Sequence, residues 1–346
     1  MSSVRIRLET RNSKLETGFV KLLIALHHRF QPWIAPRWFS ERLRKNFPQL
    51  DVVQLPDYER ITEEIADADM AIAWSIRGDQ LQAAKKLRWI HSTAAAVHGL
   101  MSPELQASDI TVTNARAVHG PTVAEHAMAL VFAMAKRLPE AAKYQAQRHW
   151  AQQEICETVP RPRDLRGSTM VIVGFGSIGT WLAKLAQAIG MRVIAVREHP
   201  EKGSDVADKM YPFDDLNRAL ADGDFVVLAA PVTPKTHQLM NADRFAHLKS
   251  DAYLINVGRG VLIDEEALQH ALRANQLAGA ALDVTVEEPL PPGSALWTMD
   301  NVFITPHTAG FAVKMWERHY SNYTENLRRF LAGEPLLWTV DKQLGY

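Results

Sequence analysis

The sequence predicts an α/β protein built on doubly wound parallel sheets, and three observations carry that prediction. Short apolar runs alternate with helix-length segments along most of the chain. A glycine-patterned run at 174–179 joins one apolar run to a helical segment. The 47% hydrophobic and 23% charged residues are globular values, which excludes a disordered or fibrous chain. At 346 residues the chain holds about two domains, each with its own core. The 39 Lys+Arg balance 39 Asp+Glu, so nothing draws the whole chain to nucleic acid or anionic membranes, and any anion must be held locally.

Residues 1–18 are polar and charged without period and read as an extension. Arg5, Arg7 and Arg11 precede the apolar run 20–26, but Lys21 interrupts that run. His27 and His28 follow it without a small-residue cleavage site, which makes a poor signal peptide. The longest uncharged apolar stretches, such as 127–135 and 225–232, fall short of the about 20 residues of a membrane span. Cys156 is the one cysteine, so no intrachain disulfide can form. A cytoplasmic protein is expected, with no membrane and no nucleic-acid partner.

Strands are expected at 20–26, 51–55, 70–74 and 87–91, with a Trp- and Arg-containing helix that Pro48 breaks lying between the first two. A long helix is expected over 122–138, capped at Pro121-Thr122 and stopped by Pro139, and a second helical segment runs through Trp150. Residues 160–163, Pro-Arg-Pro-Arg, are a non-helical connector. Strands at 169–173, 192–196, 225–229, 252–256, 279–284 and 302–305 then alternate with helices, six strands in all, as in a doubly wound dinucleotide fold. An amphipathic helix over 311–330 ends near Gly333.

Gly174, Gly176 and Gly179 match G-x-G-x-x-G between a strand and a helix over 180–189. The first glycine permits the tight turn, the second lets backbone approach a pyrophosphate, and the third allows close helix–sheet packing at a dipole end that favours anions. The end of the next strand, where an acid usually serves the ribose 2′-hydroxyl of NAD(H), carries Arg197. A guanidinium there suits a 2′-phosphate, so NADP(H) is expected. NAD(H) is the alternative, because neighbouring Glu198 could serve the hydroxyl and Arg197 could be a surface residue.

Three later motifs end on strands: Asn256-Val257-Gly258-Arg259-Gly260, Asp283-Val284-Thr285-Val286-Glu287-Glu288-Pro289, and Pro306-His307-Thr308-Ala309-Gly310. With the glycine run they closely resemble the D-isomer-specific 2-hydroxyacid dehydrogenase family, over about 87–310 and more loosely back to Val20. The glyoxylate/hydroxypyruvate reductases are the nearest type. The resemblance implies that Arg259 anchors the substrate carboxylate and carbonyl, that His307 is the acid–base group, and that Glu288 backs it. Related formate dehydrogenases carry Gln in place of that Glu, which counts against formate. Ser177 and Ile178 would lie at the pyrophosphate, and Pro231 and Thr233 at the adenosine ribose. Val257 and Gly258 would lie by the nicotinamide, and Asp283 would accept from its carboxamide or else cap its strand end. No metal is implied.

Substrate contacts are expected from Ala95 and Ala96, which replace the family's Gly-rich turn, with His98 where an acid usually stands. Arg77 belongs to a loop that lines the site in relatives, and His119 either touches substrate or caps a helix. The fold implied is two Rossmann-like doubly wound domains with a cleft between them. A discontinuous substrate domain would comprise 1–117 plus 310–346, and an NAD(P)-binding domain 118–309. The Ala-rich helix and the Trp150 segment lie where relatives dimerise, so a homodimer is expected, although their apolar residues could equally be core. The expected activity is NAD(P)H-dependent reduction of a small 2-oxo acid to a D-2-hydroxy acid. Phosphoglycerate is disfavoured because the chain ends soon after the last helix. The alternative is a nucleotide-sensing, non-catalytic protein like the C-terminal-binding corepressors.

Overall fold

A computed structural model describes residues 19–97 and 99–345. The predicted extension at 1–18 and His98 lie outside them. In chain order, β1 (Val20–Ala25), α1 (Arg37–Asn46), β2 (Leu50–Gln54) and α2 (Ile61–Ile65) are followed by β3 (Met70–Ala73), α3 (Gly78–Ala83) and β4 (Trp89–Ser92). Then come α4 (Pro103–Gln106), β5 (Thr111–Asn114), α5 (Arg116–Ala135), α6 (Leu138–Ala146) and α7 (Gln152–Glu157). The next run is β6 (Thr169–Val173), α8 (Ser177–Ala188), β7 (Arg192–Val196), β8 (Lys209–Tyr211), α9 (Leu216–Asp222) and β9 (Phe225–Leu228). The last elements are α10 (Ala242–Phe245), β10 (Tyr253–Asn256), α11 (Glu265–Arg273), β11 (Gly279–Leu282), β12 (Val302–Ile304) and α12 (Met315–Ala332).

The chain forms two compact units. One runs up to Arg116 and resumes at Lys314, and the other is Ala117–Val313. The first holds a five-stranded sheet ordered β2-β1-β3-β4-β5, and the second a seven-stranded sheet ordered β12-β11-β10-β9-β6-β7-β8. Every strand pairing in both is parallel. Parallel sheets need cover on both faces, which is why the strands are continuous apolar runs rather than alternating ones. In the second unit Met170, Ile172, Phe225, Val227 and Ile255 pack on one face with α5 and α8. Val171, Val173, Val226, Leu228 and Leu254 pack on the other. The first unit repeats the pattern: Leu22, Ile24, Ile72 and Trp89 meet Phe39 and Leu43 of α1 and Tyr323 and Leu327 of α12. That core draws α12 to the first unit, where Tyr323 stacks on Trp89 at 5.0 Å.

Several elements depart from expectation. β5 forms the edge of the first sheet, and the antiparallel stretch 338–340 covers it through Val340 N–H to Val112 O at 2.8 Å. β8 adds a seventh, edge strand to the second sheet. The long helix starts at Arg116 with Pro121 inside it, so Pro121-Thr122 is not its cap. It ends at Ala135 before Arg137 turns left-handed (φ 55°), and Pro139 sits in the first turn of α6, where no N–H is needed. Trp150 lies between α6 and α7 rather than in a helix, and is 88% exposed. The alanine-rich face of α5, with Ala124, Ala127 and Val131, belongs to the core of its own unit. No helix among the described residues is long and apolar enough to cross a membrane.

Candidate active site

β6 ends in a turn that demands glycine. Gly174 has φ 95°, and a Cβ on it would lie 2.4 Å from the Ala230 backbone nitrogen. Gly179 packs α8 against that turn, where a Cβ would fall 2.6 Å from the Gly174 carbonyl oxygen. Gly176 is exposed, and a Cβ on it would meet nothing within 4 Å. Open space therefore lies over the amino end of α8, whose first N–H groups, including those of Ser177 and Ile178, have no helical acceptor. Donors, a positive dipole end and the missing side chain together fit an anionic group such as a pyrophosphate.

At the end of β7, the backbone of Arg197 donates to Tyr211 O at 3.0 Å and its side chain is half-buried. Glu198 is engaged elsewhere: Lys235 holds it at 2.7 Å, and this pairing keeps the carboxyl below the usual range. Lys235 belongs to the loop of Pro231 and Thr233, which is tied by Thr236 Oγ1 donating to Pro231 O at 2.6 Å and by Thr233 N–H donating to Thr236 Oγ1 at 2.8 Å.

The three strand-end motifs converge. Asn256, fully buried, locks the loop after β10: its Oδ1 accepts Gly258 N–H at 3.0 Å and its Nδ2 donates to Arg259 O at 2.9 Å. Arg259 Nη1 donates back to Gly258 O at 2.6 Å. Gly260 brings this loop against the next, since a Cβ on it would sit 2.0 Å from the Thr285 carbonyl carbon. Glu288 thereby faces Arg259 in electrostatic range. Burial lowers the Arg259 pKa, and the Glu288 charge opposes the shift. Glu288 accepts Thr285 N–H on Oε1 at 3.2 Å and meets His307 Nδ1 on Oε2 at 2.5 Å. Burial would raise the Glu288 carboxyl, but the bond to His307, aided by Thr285 N–H and Arg259, wins and holds it below its ordinary range. The structure therefore brings Arg259, Glu288 and His307 together.

His307 has a left-handed backbone (φ 52°), and Asp283 maintains that turn. Its carbonyl accepts His307 N–H at 2.8 Å, and its carboxylate accepts Thr308 N–H and Ala309 N–H, both at 3.0 Å. Asp283 is thus more than a strand-end cap. Sequence reasoning missed two partners of this carboxylate, Thr305 at the end of the expected strand 302–305 and His126 in the expected long helix.

Other expected contacts are placed differently. His119 lies inside α5, which begins at Arg116, so it is not a helix cap, and its ring is 3.3 Å from Gly310 O. Arg77 caps α3, and its exposed guanidinium is held by Asp79 at 2.9 and 3.0 Å. In the first unit, Asn114 Nδ2 donates to Ala95 O at 2.6 Å. The turn through Ala95 and Ala96 has no positive φ, so alanine fits it without strain.

A doubly wound sheet with an anion cradle and ionisable groups at its carboxyl edge defines a dinucleotide-dependent oxidoreductase as the class. The model of the D-isomer specific 2-hydroxyacid dehydrogenase NAD binding domain matches residues 128–309. A putative 2-hydroxyacid dehydrogenase of Haemophilus influenzae is 37% identical over 259 residues, 72% of this chain and 80% of that one. A solved D-isomer specific 2-hydroxyacid dehydrogenase family protein from Aeromonas salmonicida superposes with a TM-score of 0.79 at 32% identity, covering 93% of this chain and 99% of that one. The NADPH-dependent glyoxylate/hydroxypyruvate reductase of Sinorhizobium meliloti, solved with NADP and sulfate, gives 0.77 at 26% identity, covering 94% and 100%. The chain belongs to the D-isomer specific 2-hydroxyacid dehydrogenase family, and is an NAD(P)-dependent oxidoreductase.

Proposed function

We propose that this enzyme reduces a small 2-oxo acid to the D-2-hydroxy acid with NADPH as the preferred donor, with glyoxylate and hydroxypyruvate as candidate substrates. The observation that carries the reading is the 2.5 Å contact of Glu288 with His307 Nδ1, beside Arg259. When bound, the reduced nicotinamide supplies a hydride to the carbonyl carbon. Residues of the glycine turn with Ser177 and Ile178 hold the pyrophosphate, and Arg197 takes the 2′-phosphate because Glu198 is occupied by Lys235. Pro231 and Thr233 would flank the ribose and Val257 and Gly258 would border the nicotinamide, while Asp283, its carboxylate buried among its own chain's donors, orders the turn beside them rather than reaching the carboxamide.

Arg259 grips the substrate carboxylate and carbonyl oxygen with a planar, charge-assisted fork. With Nδ1 committed to Glu288, His307 presents Nε2 to the carbonyl oxygen and gives it the proton. The Glu288 carboxylate keeps Nδ1 protonated and steadies the ring, and in the reverse direction His307 takes the proton back. Exposed Leu138, Trp150 and Val159 around α6 and α7 support a homodimer, which sedimentation would test.

NADPH oxidation is followed by its absorbance against a panel of 2-oxo acids, with the stereochemistry of the product checked. Turnover giving the D-hydroxy acid is expected. A flat trace with every acid, despite tight NADPH binding, would overturn the reading in favour of a nucleotide-sensing binding protein.

A further inference from the structure

Behind the Glu288–His307 pair lies a second polar cluster that reaches α5. Thr305 Oγ1 donates to Asp283 Oδ1 at 2.6 Å. His126 Nε2 stands 3.0 Å from the same hydroxyl oxygen and 3.3 Å from Asp283 Oδ1. A hydroxyl has one proton, and here it is spent on the carboxylate, so towards His126 both oxygens can only accept. The His126 nitrogen facing them must therefore carry a hydrogen. Asp283 Oδ1 then receives three donors, namely the Thr305 hydroxyl, Thr308 N–H and His126 N–H, while Oδ2 receives Ala309 N–H.

Almost fully buried, this carboxylate survives as an anion only because those donors surround it. Burial alone would raise Asp283, and the bonds from His126, Thr305, Ala309 and Thr308 together bring it below its usual range. The anchored carboxylate fixes 308 and 309, and its own carbonyl fixes 307, in a left-handed turn that costs a non-glycine residue about 1 kcal/mol or more. We propose that His126 is a positioning residue for the reaction: by donating to Asp283 and Thr305 from α5, it holds the turn that aims His307 at the substrate carbonyl. The titratable groups around this cluster are Asp283 at the end of β11, His307 on the same turn, Glu288, which meets His307, and Arg259, which faces Glu288. The proposal rests on His307 as the proton donor.

The test compares His126→Leu, His126→Gln and Thr305→Val with wild type, with His307→Ala as control. Leu removes the donor, whereas the Gln amide can place an N–H where Nε2 stands. Readouts are kcat, KM for the oxo acid, NADPH affinity by fluorescence, melting temperature and the alkaline limb of kcat/KM. His126→Leu and Thr305→Val are each expected to lower kcat about tenfold and to move the limb, with NADPH affinity nearly intact. A variant combining His126→Leu with Thr305→Val should be no worse than the poorer single, and His126→Gln should recover most of the rate. Wild-type kcat and limb in His126→Leu, with only a lower melting temperature, would overturn the proposal. Should that variant fail to fold, wild-type kinetics in Thr305→Val would do the same. Full turnover in His307→Ala would sink instead the proton-donor reading on which the proposal stands.

Discussion

Replacing Arg197 with Asp should move the enzyme from NADPH towards NADH, and the structure sets the size of the shift. A hydrogen bond between charged partners contributes about 1.5–3 kcal/mol, and a half-buried guanidinium belongs at the low end. The new carboxylate adds repulsion, about 1 kcal/mol at 4 Å in bulk water and up to about 4 kcal/mol at an effective dielectric of 20. The sum is at least about 2.5 kcal/mol, or roughly 10²-fold in kcat/KM for NADPH. NADH has no 2′-phosphate, so its kcat/KM should hold or rise as the new acid accepts from the ribose hydroxyl. Lys235 is tied to Glu198 at 2.7 Å, so compensation from that side would first have to break an ion pair. Steady-state rates with each nucleotide at a saturating oxo acid give the ratio directly, and added salt should shrink the difference. An NADPH-to-NADH preference that stays the same in both proteins would remove Arg197 from the account of specificity.

Three further outcomes are expected. His307→Ala should lower kcat by ~10²–10⁴ with nucleotide affinity nearly intact, and unchanged turnover would assign the proton to another group. Glu288→Gln removes the anion 2.5 Å from Nδ1, so kcat for reduction should fall with nucleotide affinity nearly intact, and an unchanged kcat would make the carboxylate dispensable. Stability should also carry an acid signature from His91, whose ring burial pushes down to about 3 from the ordinary 6.5. Above pH 6.5 neither state holds the proton and stability is full. As pH falls from 6.5 towards 3, the unfolded chain takes up a proton that the folded one refuses, so stability drops by about 1.4 kcal/mol per unit. Urea unfolding at pH 7 and pH 5 should show a loss of about 2 kcal/mol that a His91→Gln variant lacks, and equal losses in both would contradict the assignment.

What could be read from the sequence follows the physics of parallel sheets. Strands buried on both faces, such as β6 and β9, are unbroken apolar runs and stand out by themselves. Two of the four edge strands carry no such mark: β5 is Thr-Val-Thr-Asn and β8 is Lys-Met-Tyr, and each is a strand only because a neighbour offers it a ladder. Pro121 misled in a similar way, since proline at a helix start is the common case and here the helix begins at Arg116. Arg259, Glu288 and His307 were legible because each follows its own strand, and a parallel sheet carries all strand ends to one edge.

His126 was not legible, and the reason is one of register rather than composition. It meets Thr305 across 179 residues of chain, and no local pattern encodes that contact. The same distinction bears on function. The strand-end residues set which reaction is possible, whereas the cross-chain contacts of Asp283 set how firmly the reacting imidazole is aimed. A substitution on α5 can therefore alter turnover while leaving every motif in the sequence intact.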